Sequence, residues 1–401
     1  MSIDHRGLIE IPASKLEPGM YVAEIDRPWL ETPFATQGFY VRSAEDTAYV
    51  QQHCDYVFVD PRRRRPPSTM QTAATTAQRQ HYRNHTDLDR EIATAKDDLE
   101  SASEAVAKVF GRLRTNGHLD VPGMQRAINP LIDSVLRNDE ALAALIRMRS
   151  RGDYFYNRAL SNAVWAALLG RHIGLELATL KRLALGAALV DVGMSKVDSS
   201  ITDSDQPLTD EQHVQMREHV LHGMELLKQA GNVDRDVLQI IANHHERYDG
   251  SGYPRGLIQD EIPLLARIVG LVDTYDAMIT DKPWAPGRSS FNAMQELADA
   301  KDELFQGALV EQFLQAVGLF PTGSIVELSS GEVGIVLQQN PTRRLRPKLT
   351  LILDADKRPL DEMVIIDLGS YAKEDGNSAA LWITQELRPG DYGIQPDEYF
   401  L

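Results

Sequence analysis

His244, His245 and Glu246, followed by Tyr248, Asp249, Gly250, Ser251, Gly252, Tyr253 and Pro254, form the densest cluster of reactive residue types in this chain. Imidazole is a good ligand for first-row divalent ions. Two adjacent imidazoles reach one metal only if the backbone between them turns sharply. The Gly-Ser-Gly-Tyr-Pro run supplies turn chemistry, since glycine tolerates positive φ and proline fixes φ at the exit. Loop glycines also let backbone approach a phosphate closely. Arg247, Tyr253 and Arg255 stand around this loop, with Arg267 and Arg288 on flanking elements. Guanidinium groups grip phosphate or stack on a base, and Tyr253 offers a ring face. Each arginine also has an ordinary reading as a surface ion pair, and Tyr253 as loop packing.

These residues need a scaffold, and 401 residues supply two to three domains by the usual length prior. A net charge of −16 argues against a general nucleic-acid binder, though not against a small anion in a local basic pocket. Cys54 is the only cysteine, which excludes an intrachain disulfide and points to a reducing compartment. With no signal pattern at the start and no apolar run long enough to span a membrane, a cytoplasmic protein is expected. Residues 1–65 read as a small β-rich domain, with strands near 9–11, 20–25, 38–41 and 56–60. Four arginines, 62 to 65, open a linker that continues from 66 to 84. Over 85–126, Leu88, Ile92, Leu99, Val106, Phe110 and Leu113 recur at helical spacing. Such a stripe packs on a helix of this chain or of a second copy, which would make a homodimer. Residues 127–318 read as amphipathic helices. Thr209 to Gln212 is a capping box, Ala230-Gly231 the far end of that helix, and Pro263 the start of another. Residues 319–401 return to period two and predict a small β-barrel or sandwich.

At the His244–Pro254 run the chain resembles the HD-GYP family, metal-dependent hydrolases of cyclic dinucleotides, chiefly cyclic di-GMP. The segment from Pro28 to Phe34, with Gly38 and Phe39, is similar to the small N-terminal domain that often precedes them. The resemblance implies a central all-α domain flanked by small β-rich domains, and two metals sharing a bridging aspartate. Asp191 fits the bridge; His219, His244 and His245 fit the further ligands of one metal; Asp273 fits a late aspartate serving the other. One Fe, Mn or Zn ion is thereby provided for, with three imidazoles and a carboxylate. The other metal is badly served. Its early histidine falls on Leu160, a third-metal glutamate on Tyr156, and the histidine preceding the bridging aspartate on Val190. Met194 stands where the family has a phosphate-steadying lysine. Lys196, two residues on, lies roughly 200° around an ideal helix. Apolar Leu160 and Val190 predict that the vacated site is repacked as core. His213 and His222 read as surface residues.

Hydrolysis at a binuclear site needs both metals to clamp the phosphoryl oxygens. Two functions therefore stand beside each other. One is a metal-dependent cyclic di-GMP phosphodiesterase forming pGpG or GMP. The other, favoured by the missing ligands, is a signalling module that binds the nucleotide or a partner with weak or no hydrolysis. Arg247, Asp249, Gly250, Gly252, Tyr253, Pro254 and Arg255 would form the ligand loop. By resemblance, diguanylate cyclases are candidate protein partners, and neither DNA nor membrane is expected.

Overall fold

The computed structural model describes residues 8–27, 39–41, 44–64, 80, 82–148, 154–202, 206–282, 286–340, 345–370, 381–388 and 390–394. The Pro28–Phe34 run and most of the predicted linker fall outside the described residues. The first domain is an antiparallel sheet of β1 (Ile9–Pro12), β2 (Tyr21–Ile25), β3 (Phe39–Tyr40) and β4 (Tyr56–Val59), in the order β1-β4-β2-β3. Helix α1 (Ala44–His53) completes it, and Val22, Val41, Val50 and Val57 fill its core.

Helix α2 (Leu88–Asn116) begins after Asp87 and stops at Gly117, whose left-handed φ of 70° lets its N–H close on the Leu113 carbonyl. Its predicted stripe is covered within this chain by α3 (Val121–Arg137), α4 (Ala141–Met148) and α5 (Tyr154–His172). One apolar core runs from Ala95 to Val317, so the segment expected as a connector belongs to the helical body. Helix α2 also buries Glu91, which is neutralised by Arg137 at 2.8 Å and accepts from Ser134. Helix α5 is buried on nearly every side, against α2, α3, α6 (Leu177–Leu189), α11 (Leu264–Ile279) and α13 (Gly307–Val317). A helix so enclosed is normally apolar all round, which makes its polar residues informative.

After α7 (Ser199–Thr202), the capping box of Thr209 and Gln212 forms as expected, but the single helix expected from it is broken at Glu218. The break yields α8 (Asp210–Arg217) and α9 (His219–Ala230), so His219 begins a new helix. Helix α10 (Arg235–Asn243) delivers His244, and α12 (Ser290–Asp299) precedes α13. The last domain is an antiparallel sheet of β5 (Ile325–Leu328), β6 (Val333–Gln338), β7 (Lys348–Leu353), β8 (Pro359–Asp367) and β9 (Ile383–Leu387), ordered β8-β7-β6-β5-β9. It docks on the helices through Glu386, which takes Arg147 of α4 at 2.6 Å and the Phe291 N–H at 2.8 Å. Among the described residues, no helix is long and apolar enough to cross a membrane.

Candidate metal centre

The break before α9 and the end of α10 point imidazoles at one spot. His219, His244 and His245 each offer a nitrogen within 4.8 Å of the others. The His219 Nδ1 lies 2.7 Å from the Met216 carbonyl, and the His244 Nδ1 lies 2.9 Å from the Ile241 carbonyl. A carbonyl only accepts, so both Nδ1 atoms carry the proton and both Nε2 atoms present lone pairs. Those two Nε2 atoms sit 3.3 Å apart. In neutral rings neither nitrogen donates to the other, and one metal ion between them would accept both lone pairs. Backbone carbonyls orienting ligand imidazoles through Nδ1 are the usual second layer of a metal site. Burial first, then neighbouring His219, lowers His244 to about 4, and burial also holds His245 well below the ordinary range. Both therefore stay neutral, as ligands must. The donor set fits one first-row divalent ion.

Asp191 follows α6 and opens the 192–196 turn. Burial works to raise its carboxyl, but Arg158, His219 and His244 together hold it below the ordinary carboxylate range. It thus lies between the imidazoles and a guanidinium. Arg158, fully enclosed on α5, donates from Nε to Asp191 at 3.1 Å, from Nη1 to Asp276 at 3.2 Å, and from Nη2 to Asp273. Asn162 donates to Asp273 at 3.0 Å and Trp165 to Asp276 at 3.2 Å. Burial pushes Asp276 up to about 7 despite Arg158. Lys282 is held low by burial and by the charges of Arg158 and Arg288.

This cluster corrects the sequence reading at several positions. Arg158 and Asn162, four residues apart, share the face of α5 that meets Asp191 and Asp273. Leu160 is two residues beyond Arg158, roughly 200° around the helix, and lies in the apolar core. The residue of α5 that reaches the site is Arg158. Tyr156 likewise faces away, stacked on Phe110 at 5.4 Å, whereas Tyr154 lies under the Arg158 guanidinium at 5.7 Å. On this side of Asp191 a buried guanidinium stands among the carboxylates, and Val190, next to Asp191 in the chain, is buried. Asp273, expected as a metal ligand, is engaged by Arg158 and Asn162. Met194 is half-buried and Lys196 exposed, beside Glu218 and His222. Arg158, Asn162, Trp165 and Asp276 were legible as one polar face on an enclosed helix and an aspartate three residues past Asp273. No motif marks them, because their common purpose is set by carboxylates 33 or more residues away along the chain.

The loop after His245 is held from within. Glu246, buried and not singled out from sequence, accepts the N–H groups of Arg255 at 2.8 Å and Leu257 at 2.9 Å. Asp249 accepts from the Ser251 N–H and hydroxyl, and Gly250 takes a φ of 87°. Tyr253, before a cis bond to Pro254, stacks on His245 at 4.6 Å with Arg217 over its ring at 5.1 Å. Gly252 touches the backbone of residues 245–247 so closely that a Cβ there would collide. Arg247 donates to the His244 and Glu246 carbonyls and covers Phe305, while Arg255 donates to Asn243 at 2.5 Å. Arg267 pairs with Asp260 at 2.7 Å, and Arg288 with Glu296. A cleft of about 530 Å³ lies between α5 and the last domain, lined by Tyr154, Asn157, Ser161, Asp276, Arg288 and Arg388 among others.

Residues 139–309 match the HD domain, residues 8–122 a domain of unknown function, and residues 325–373 a KOW domain associated with the HD domain. A cyclic di-GMP phosphodiesterase of Pseudomonas aeruginosa is 29% identical over 384 residues, 92% of this chain and 91% of that protein. The cyclic di-GMP phosphodiesterase response regulator RpfG of Xanthomonas campestris pv. campestris is 32% identical over 191 residues, 46% of this chain and 50% of that protein. Among solved structures, the HDG"Y"P protein Bd1817 of Bdellovibrio bacteriovorus superposes with a TM-score of 0.48 at 15% identity, covering 76% of this chain and 98% of that one. Residues 139–309 thus carry an HD domain, set between the N-terminal domain of unknown function at 8–122 and a KOW domain associated with the HD domain at 325–373.

Proposed function

We propose that this protein is a cyclic di-GMP signalling protein that holds one divalent metal through Asp191, His219, His244 and His245, and that it binds the nucleotide or a partner with weak or no hydrolysis. The observation that carries this reading is the asymmetry about Asp191: three imidazoles within reach of one ion on one side, and carboxylates already bound to Arg158 on the other. When bound, a single ion supplies Lewis acidity at one phosphoryl oxygen, whereas binuclear catalysis clamps both attacking and leaving oxygens. The chain's own residues do the rest. Tyr253, stacked on His245, offers an aromatic edge of the site, and the loop backbone from Asp249 to Arg255 borders it. The arginines of the loop, already committed to carbonyls and Asn243, act first by holding the loop.

Elemental analysis of protein purified without chelator should find at most one tightly bound first-row ion per chain, and His244→Ala should lose it. Cyclic di-GMP incubated with the protein should remain largely intact while binding is measurable by calorimetry. Rapid turnover with added Mn would establish the other reading, an active cyclic di-GMP phosphodiesterase. That reading draws support from the similarity across nine-tenths of the chain to the Pseudomonas aeruginosa enzyme.

A further inference from the structure

We propose that the Arg158 guanidinium is itself the second cation of this site: it occupies the position between Asp191 and Asp273 and keeps the chain to a single metal ion. The inference rests on the single-ion reading above.

Three carboxylates, those of Asp191, Asp273 and Asp276, converge inside the protein, and converging buried anions must be compensated. Arg158 compensates them with one nitrogen each, a planar fork matched to three acceptors. The carboxylates are held in place from behind, Asp273 by Asn162 and Asp276 by Trp165. Tyr154 closes over the guanidinium. Residue 158 therefore sits in a built cavity whose shape and charge suit a cation. A divalent ion can enter those oxygens only by displacing the Arg158 guanidinium from all three of its acceptors. On the other side of Asp191 the three imidazoles lie within 4.8 Å of one another. Oxygen ligands alone would hold Mn or Mg more weakly than imidazoles hold a first-row ion, so the guanidinium has little competition.

The test is a Mn²⁺ titration of the full chain after chelation, with free Mn²⁺ read by electron paramagnetic resonance. The wild type should bind one ion. Arg158→Met, which keeps the stem and removes the charge, should bind two, the second at least tenfold weaker than the first. Should the three uncompensated carboxylates prevent folding, Arg158→Met combined with Asp276→Asn retains Asp191 and Asp273 with less repulsion and should also bind two. The decisive combination is Arg158→Met with His244→Ala, which should keep one ion on the carboxylate side while His244→Ala alone keeps none. A folded Arg158→Met protein that still takes only one ion overturns the role of Arg158. Two ions in the wild type, or retention of the ion by His244→Ala, overturns the single-ion reading instead, so the two failures are separable.

Discussion

One side chain alters the chemistry of this site more than the four departures read from its sequence. Arg158 converts a cluster of carboxylates that would attract a metal into a closed ion network, and Leu160, two residues away, takes no part. The two positions predict opposite outcomes. Leu160→His buries an imidazole among aliphatic neighbours, so it should destabilise by roughly 2–5 kcal/mol and leave the ion count unchanged. Arg158→His with Val190→His places imidazoles on either side of Asp191, and elemental analysis of that variant should show a second ion. A second ion in Leu160→His, or none in the double variant, would return the site to the alignment read from sequence.

Elements meet at this centre through glycines that permit contact between backbones. The 192–196 turn packs on the start of α9 where a Cβ on Gly193 would press on the His219 carbonyl and come within 2.5 Å of the Gly223 nitrogen. Gly193→Ala should therefore separate Asp191 from His219 and cost metal affinity at least tenfold, a change read by titration alongside the melting temperature. The loop has its own clasp in Glu246. Charge-assisted bonds to two backbone N–H groups contribute roughly 1.5–3 kcal/mol each when buried. Glu246→Ala should release residues 249–257, visible as faster amide hydrogen exchange confined to that segment, with α9 and α10 still protected. Uniform loss of protection would mean that Glu246 supports the whole domain.

At the scale of the whole molecule, the C-terminal β-rich region is fastened to the helices by buried polar contacts. Arg147 to Glu386 is one, and breaking such a pair from one side typically costs about 3–5 kcal/mol. Glu386→Gln should loosen the last domain first, seen as a separate early transition in thermal unfolding. Glu140 accepts from Thr322 at 3.0 Å, and burial, followed by the charge of Asp139, pushes it up to about 7. Its folded pKa exceeds its ordinary value, so its stabilising share is full below about 4.5 and declines as pH rises towards 7. That loss is on the order of 2–3 kcal/mol. Glu140→Gln should flatten the fall of melting temperature between pH 5 and pH 8. Asp276, shifted the same way, leaves a residual slope. An unchanged slope would place Glu140 outside this linkage.

The sequence by itself determined the order of domains, most strands, the capping box at Thr209, and the His219, His244 and His245 set. Each is written in local pattern or in a motif close along the chain, except His219, which lies 25 residues before His244 and follows only from the family resemblance. It also left the stripe of α2 with two possible partners, and only packing decided for α3, α4 and α5 of the same chain. The break at Glu218 escaped periodicity because the residues on both sides favour helix, while placing His219 at a helix start is a demand of the site. Arg158 is the clearest case. Its helix is enclosed on nearly every side, and no local rule says which polar residue on such a helix will face three carboxylates contributed by segments 33, 115 and 118 residues away. Convergence at that range is a property of the folded bundle, where burial forces every charge to find its counter-charge.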